Sequence, residues 1–156
     1  MWNQTSKKFM GGFLAIIALS LAILYITQTY FSPEKQAERR LADLERRYAE
    51  DTYGGKTPEE TLELFIDALK AGDIELASKY FLIGEQEEWR KKIETINNNG
   101  YLESMIRDLE RPKNKYPLID GEDNRFIFEI KNDDNQLALQ IDIARGPNGI
   151  WKIVDM

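Results

Sequence analysis

Side chains able to do chemistry are few in this chain, and nearly all of them are carboxylates. The 156 residues include no histidine and no cysteine. The usual general base near neutral pH, the commonest metal ligand, the thiol nucleophile and the disulfide are therefore all missing. Any proton transfer would fall to Asp or Glu. Glu129 and Asp142 sit in strand-like stretches, but alternation sets both opposite the main apolar side chains, on the sheet surface. Asp120, Glu122 and Asp123 cluster without the D-x-[DN]-x-[DN]-G spacing of a calcium loop, so they read as a solvated turn. Phosphate-binding and nucleophile-elbow motifs are absent. An enzyme with a carboxylate base is thus the least supported function class, and no metal or cofactor is expected. A formal net charge of −6 argues against nucleic acid as a partner.

Large aromatics are the other groups a site could use. Trp89, Tyr116, Phe128 and Trp151 could line a pocket for a small apolar ligand, or they could serve as ordinary core. The elements that position them are legible. Thr57-Pro58-Glu59-Glu60 is a capping box with proline at the first helical position. Leu62, Phe65, Ile66 and Leu69 follow at helical spacing. Gly72 ends that helix, and Asp73 caps a second with Ile74, Ala77, Tyr80 and Phe81 inward. A third helix runs from Glu85 to about Ile96, a fourth from Tyr101 to Glu110, and Pro112 terminates the run. The period then changes to two. Phe126–Lys131 and Leu137–Ile143 are strands joined by an Asn132–Asn135 turn, Gly146–Gly149 is a second turn, and Ile150–Asp155 is a last strand. Residues Tyr116 to Ile119 are a further edge-strand candidate.

Ahead of this domain the chain is different. Mean hydropathy is −0.50, yet Phe9 to Phe31 carries no charge. A helix of that length would rise roughly 34 Å, enough for a hydrocarbon core of about 30 Å. Trp2, Lys7, Lys8, Tyr30 and Phe31 would mark its membrane interfaces. The bulky Thr27–Phe31 end is unlike a signal-peptidase site, so a retained anchor contacting lipid through Phe9–Phe31 is expected. Flanking charges conflict over orientation: Lys7 and Lys8 hold the short tail in the cytoplasm, while Lys35, Arg39, Arg40, Arg46 and Arg47 pull the other way. The domain is placed on the extracytoplasmic side of a cell membrane. From Pro33 onward Ala37, Leu41, Leu44 and Tyr48 form a narrow apolar stripe on a charged helix, a stalk that could pair two copies into a homodimer. The organisation expected is 1–31 tail and transmembrane anchor, 32–56 stalk and Gly-Gly linker, and 57–156 folded domain. Residues 1–56 hold 8 basic and 6 acidic groups, net +2; residues 57–156 hold 13 and 21, net −8.

Helices followed by a meander give an α+β fold, helices packed on one face of a curved antiparallel sheet behind a transmembrane helix. TPEETLELFIDALKAGDIELASKYF, Thr57 to Phe81, and the closing IWKIVDM resemble the nuclear-transport-factor-2-like (cystatin-like) superfamily, in its bacterial membrane-anchored type, over residues 57–156. The resemblance implies a cone of helices wrapped by a sheet, sometimes with a pocket at its wide end, and carries no active-site signature. The function expected is a membrane-anchored, non-catalytic domain that binds a protein partner or a small apolar ligand. The alternative is a structural or assembly subunit held by anchor and stalk.

Overall fold

The computed structural model describes residues 16–26, 33–119 and 121–156. Two units divide the chain, Met1–Glu45 and Arg46–Met156. In the first, helix α1 is described over residues 16–26, and its Ile16, Leu19 and Leu21 are mostly exposed. Helix α2 (Pro33–Glu50) begins in the first unit, ends in the second, and buries no residue.

These helices correct the membrane expectation. Among the described residues no helix is long and apolar enough to cross a membrane. The described part of the uncharged run rises only about 16 Å at 1.5 Å per residue, roughly half a hydrocarbon core. The transmembrane helix in the fold class, the single-pass placement with an extracytoplasmic domain, and the lipid contact through Phe9–Phe31 lose their basis together. The interface residues Trp2, Lys7, Lys8, Tyr30 and Phe31 lie outside the described residues.

The second unit is α+β. Thr57 leaves the extended region, and its hydroxyl accepts the Glu60 N–H at 3.1 Å, while Lys56 N–H donates back to the Glu60 carboxylate at 2.6 Å. That cap starts α3 (Pro58–Lys70), whose buried stripe includes Leu62, Phe65, Ile66 and Leu69. Asp73 accepts the Leu76 N–H at 2.9 Å and starts α4 (Ile74–Lys79). Helices α5 (Gln86–Asn98) and α6 (Leu102–Leu109) complete the helical layer. Strands β1 (Lys113–Pro117), β2 (Arg125–Lys131), β3 (Leu137–Arg145) and β4 (Trp151–Asp155) then form one antiparallel sheet in the order β1-β2-β3-β4. The β2–β3 turn is held by Asn132, whose side-chain oxygen accepts from Asp134 N–H at 3.1 Å and Gln136 N–H at 2.9 Å. Phe65, Phe81, Ile93, Leu109, Ile130, Ile141, Ile143 and Ile153 are fully buried between helices and sheet.

The segment between α2 and α3 belongs to this unit and is fastened to β4. Asn148, in the β3–β4 turn, donates through Nδ2 to the carbonyls of Tyr48 at 2.7 Å and Asp51 at 3.1 Å. The Tyr48 carbonyl also accepts the Asp51 N–H at 3.3 Å, so Asn148 adds a second donor at the C-terminal end of α2. Lys152 is fully buried; its Nζ donates to the Lys79 carbonyl at 2.7 Å and lies 2.6 Å from Asp51 Oδ2. Burial pushes the Lys152 ammonium below the usual lysine range, against the opposing pull of Asp51. Gly54 (φ +129°) passes so close to β4 that a Cβ there would lie 2.4 Å from the Trp151 carbonyl oxygen. Trp151 N–H donates to the Gly55 carbonyl at 3.0 Å, and Ile153 N–H to the Tyr80 carbonyl at 2.9 Å.

Candidate functional site

The aromatic residues singled out above lie in separate surroundings. Trp89 stacks on Phe81, with ring centroids 4.3 Å apart and planes 16° from parallel, and carries Lys92 Nζ 4.2 Å over its ring. Trp151 is buried beside Phe126, centroids 5.6 Å apart. Phe128 is a core residue, while Tyr116 is 47% exposed on β1. The four are not gathered round one cavity; three fill the core and the fourth faces outward. Along α2, Ala37, Leu41 and Leu44 are exposed and Tyr48 is half-buried.

The strand carboxylates are similarly occupied. Asp142 accepts two hydrogen bonds from Arg125 Nε, at 2.8 and 3.1 Å, and another from Nη2, a side-on grip on the sheet surface. Glu129 is half-buried on β2, and Glu122 and Asp123 are exposed; Asp120 lies outside the described residues.

Strand edges supply the surface that remains open. In β3, Arg145 N–H donates to the Asn124 carbonyl at 2.8 Å and Gly146 N–H to the Ile150 carbonyl at 2.8 Å. Antiparallel bonding alternates residue by residue, so Leu139, Ile141 and Ile143 turn their backbone groups to β2. Gln140, Asp142 and Ala144 turn theirs to the opposite side, while Ala138 is the extra residue of a β-bulge at which the β2–β3 register shifts between the Ile130–Leu139 and Lys131–Leu137 pairs. β4 covers that side only as far as the Asp142–Asp155 pair. Gln140 thus turns its N–H and carbonyl to the side on which β4 pairs as far as Asp155. An open recess of about 480 Å³ lies on that side, walled by Leu137, Ala138, Gln140, Asp155 and Met156 among others.

Beside it lies a shallow groove of about 550 Å³ on α5, lined by Trp89, Lys92, Thr95, Ile96 and again Met156. Met156 walls both, so they adjoin. The rim of α5 is rigidified by charge pairs: Lys92 meets Glu88 at 2.8 Å, and Arg90 grips Glu87 at 2.8 Å as well as Glu94. Arg90 first, then Lys91, hold the Glu87 carboxyl down at about 2. Such a surface offers backbone donors and acceptors beside an apolar slot, which is chemistry for holding another chain.

Sequence reasoning named Trp89 from this region but missed the open end of β3, Ile96 and Met156. No protein-family profile, curated protein or solved structure matches the chain.

Proposed function

We propose that residues 46–156 form a non-catalytic protein-interaction module whose contact surface is the α5 groove with the adjoining recess. The observation that carries this reading is the continuity of the two through Met156. Apolar walls next to unpaired backbone groups suit a peptide segment better than a small apolar ligand, which would leave those groups unsatisfied. The order of helices before an antiparallel meander, with Phe81 bridged in parallel to Ile153, supports the nuclear-transport-factor-2-like reading of residues 57–156.

The test is selection of a twelve-residue peptide display library on the full chain. Enriched peptides should lose at least tenfold in affinity for Thr95→Arg, which fills the groove from an exposed position. Absence of enrichment, or enriched peptides indifferent to Thr95→Arg, overturns the reading.

A second reading is an assembly subunit held through α2, favoured by the stripe in which Leu41 is 58% and Leu44 39% exposed. Leu41→Glu/Leu44→Glu should then abolish self-association measured by sedimentation. A chain that sediments as a monomer both with and without the changes dismisses helix pairing.

A further inference from the structure

We propose that Asn148 is a modification site: it loses its side-chain amide to attack by the Gly149 backbone nitrogen, and the loss releases the last turn of α2 and the Asp51–Gly55 segment from the β3–β4 turn in one direction only. Neither residue lines the α5 groove or the adjoining recess, so the site is independent of the interaction-module reading. The turn needs both residues for its own geometry. Gly149 holds φ +83°, and its N–H donates to the Gly146 carbonyl at 2.9 Å. Asn148 Oδ1 accepts the Ile150 N–H at 3.2 Å, while Nδ2 makes the two bonds to the Tyr48 and Asp51 carbonyls. The outcome is an asparagine followed by glycine, the pair in which no side chain shields the following nitrogen from the asparagine Cγ.

In the reaction the Gly149 nitrogen bonds to Asn148 Cγ, the Cγ–Nδ2 bond breaks, and the amide leaves as ammonia with the proton that the nitrogen gave up. Water then opens the cyclic imide at either carbonyl, which leaves aspartate or isoaspartate at position 148. Water is consumed, ammonia is released, and nothing is oxidised or reduced. The new carboxylate accepts hydrogen bonds and donates none. Facing the Tyr48 and Asp51 carbonyls, it replaces two bonds with repulsion, and the Asp51 carboxylate beside it is already matched by Lys152.

The clasp sets the rate of its own loss. Two Asn-Gly pairs occur in the chain, Asn99-Gly100 and Asn148-Gly149. Their glycines are alike: Gly100 has φ +77° and donates its N–H to the Asn97 carbonyl at 2.9 Å. Their asparagines differ. Asn99 is exposed and its side-chain amide has no partner among the described residues, whereas the Asn148 amide is half-buried and pinned by two acceptors. Attack requires the amide to turn onto the following nitrogen, so Asn148 reacts from molecules in which the clasp has opened, and loss of the donor then prevents reclosure.

The full chain is held in warm neutral buffer while peptide mapping by mass spectrometry follows both asparagines. Conversion should be about tenfold slower at Asn148 than at Asn99. Tyr48→Ala removes the ring that packs beside Gly146 but keeps the carbonyl; it should speed Asn148 about tenfold and leave Asn99 unchanged. In an Asn99→Ala chain, the deamidated fraction separated by its added charge should exchange the Asp51 and Gly55 amide hydrogens about tenfold faster than the intact fraction, with Ile130 and Ile141 unaffected. Asn148→Asp should reproduce that loosening without incubation. Conversion at Asn148 as fast as at Asn99 overturns the proposal, as does an Asn148 that stays amidated in Tyr48→Ala after Asn99 has fully converted. Intact exchange rates at Asp51 and Gly55 in both the deamidated fraction and Asn148→Asp overturn it as well.

Discussion

The margin of the sheet is treated in three ways, and the contrast between its two unpaired stretches is the most instructive feature of the molecule. β4 is sealed on its far side by the Gly54–Gly55 segment and by Tyr80–Leu82. β1 is blunted by Lys113, Lys115 and Pro117, whose backbone groups alternate away from β2, while the Lys115 ammonium turns to Glu59 of α3. The first half of β3 carries a β-bulge at Ala138, between the Leu137–Lys131 and Leu139–Ile130 pairs. Sealed, blunted or bulged, each margin is kept from pairing with a stray extended chain.

Breaking the sealed margin should have the largest effect. Lys152→Met leaves the Asp51 carboxylate buried without its cation, and removing one partner of a buried pair costs about 3–5 kcal/mol. Urea denaturation measures it, and Asp51→Asn combined with Lys152→Met should recover part of the loss. A smaller loss in the single variant than in the pair would mean that the clasp contributes nothing as an ion pair.

Within β3 the ladder phase makes a sharper comparison between neighbours. Leu139→Pro removes a bond to β2 and should cost about 3 kcal/mol. Gln140→Pro removes only an outward N–H and should cost under about 1 kcal/mol. Equal costs would show that the two residues do not alternate as described. On β1 the change runs the other way: Pro117→Thr restores an outward donor and should raise self-association at high protein concentration, read by light scattering, with stability altered by less than about 0.5 kcal/mol.

The smallest effect concerns the charged rim of α5. The folded-state pKa of Glu87 is depressed to about 2 from the ordinary 4.5, so its contribution to stability is present above the ordinary value and is lost as pH falls from there through about 2. Carboxyl resonances followed through an acid titration should place Glu87 below every unpaired glutamate. An ordinary midpoint would remove the Arg90–Glu87 contact from solution behaviour.

Much of the frame was legible because local chemistry decides it. Thr57 and Asp73 announce helix starts through their own side chains, Asn132 announces a turn, and the change of period at Phe126 separates helix from strand. Lys152 illustrates what local rules miss. A lysine in a strand reads as solvent-facing, and its burial depends on Asp51 arriving from a distant segment. The open edge was hidden for a related reason: each strand can be found alone, but how far one outruns its neighbour is a property of register, fixed by turns and by the β3–β4 bulge next to Asp142. The membrane expectation failed because no helix among the described residues is long and apolar enough to cross a membrane. Aromatics such as Trp151 and Phe128 were legible as large and apolar, while their core placement came from packing.

The Asn148 clasp has a bearing on the order in which the unit comes together. Its two bonds reach back to carbonyls separated from it by 100 and 97 residues, and the Lys152–Asp51 contact closes the same long loop. Until β4 has emerged from the ribosome, Asp51 lacks the Lys152 cation, the Tyr48 carbonyl lacks the Asn148 donor, and the Gly54–Gly55 segment has no strand to lie against. Early-synthesised residues of the unit therefore wait on late ones. Long-range closure of this kind slows folding, and it makes completion of β4 the event that fastens the last turn of α2, at Tyr48, to the β3–β4 turn.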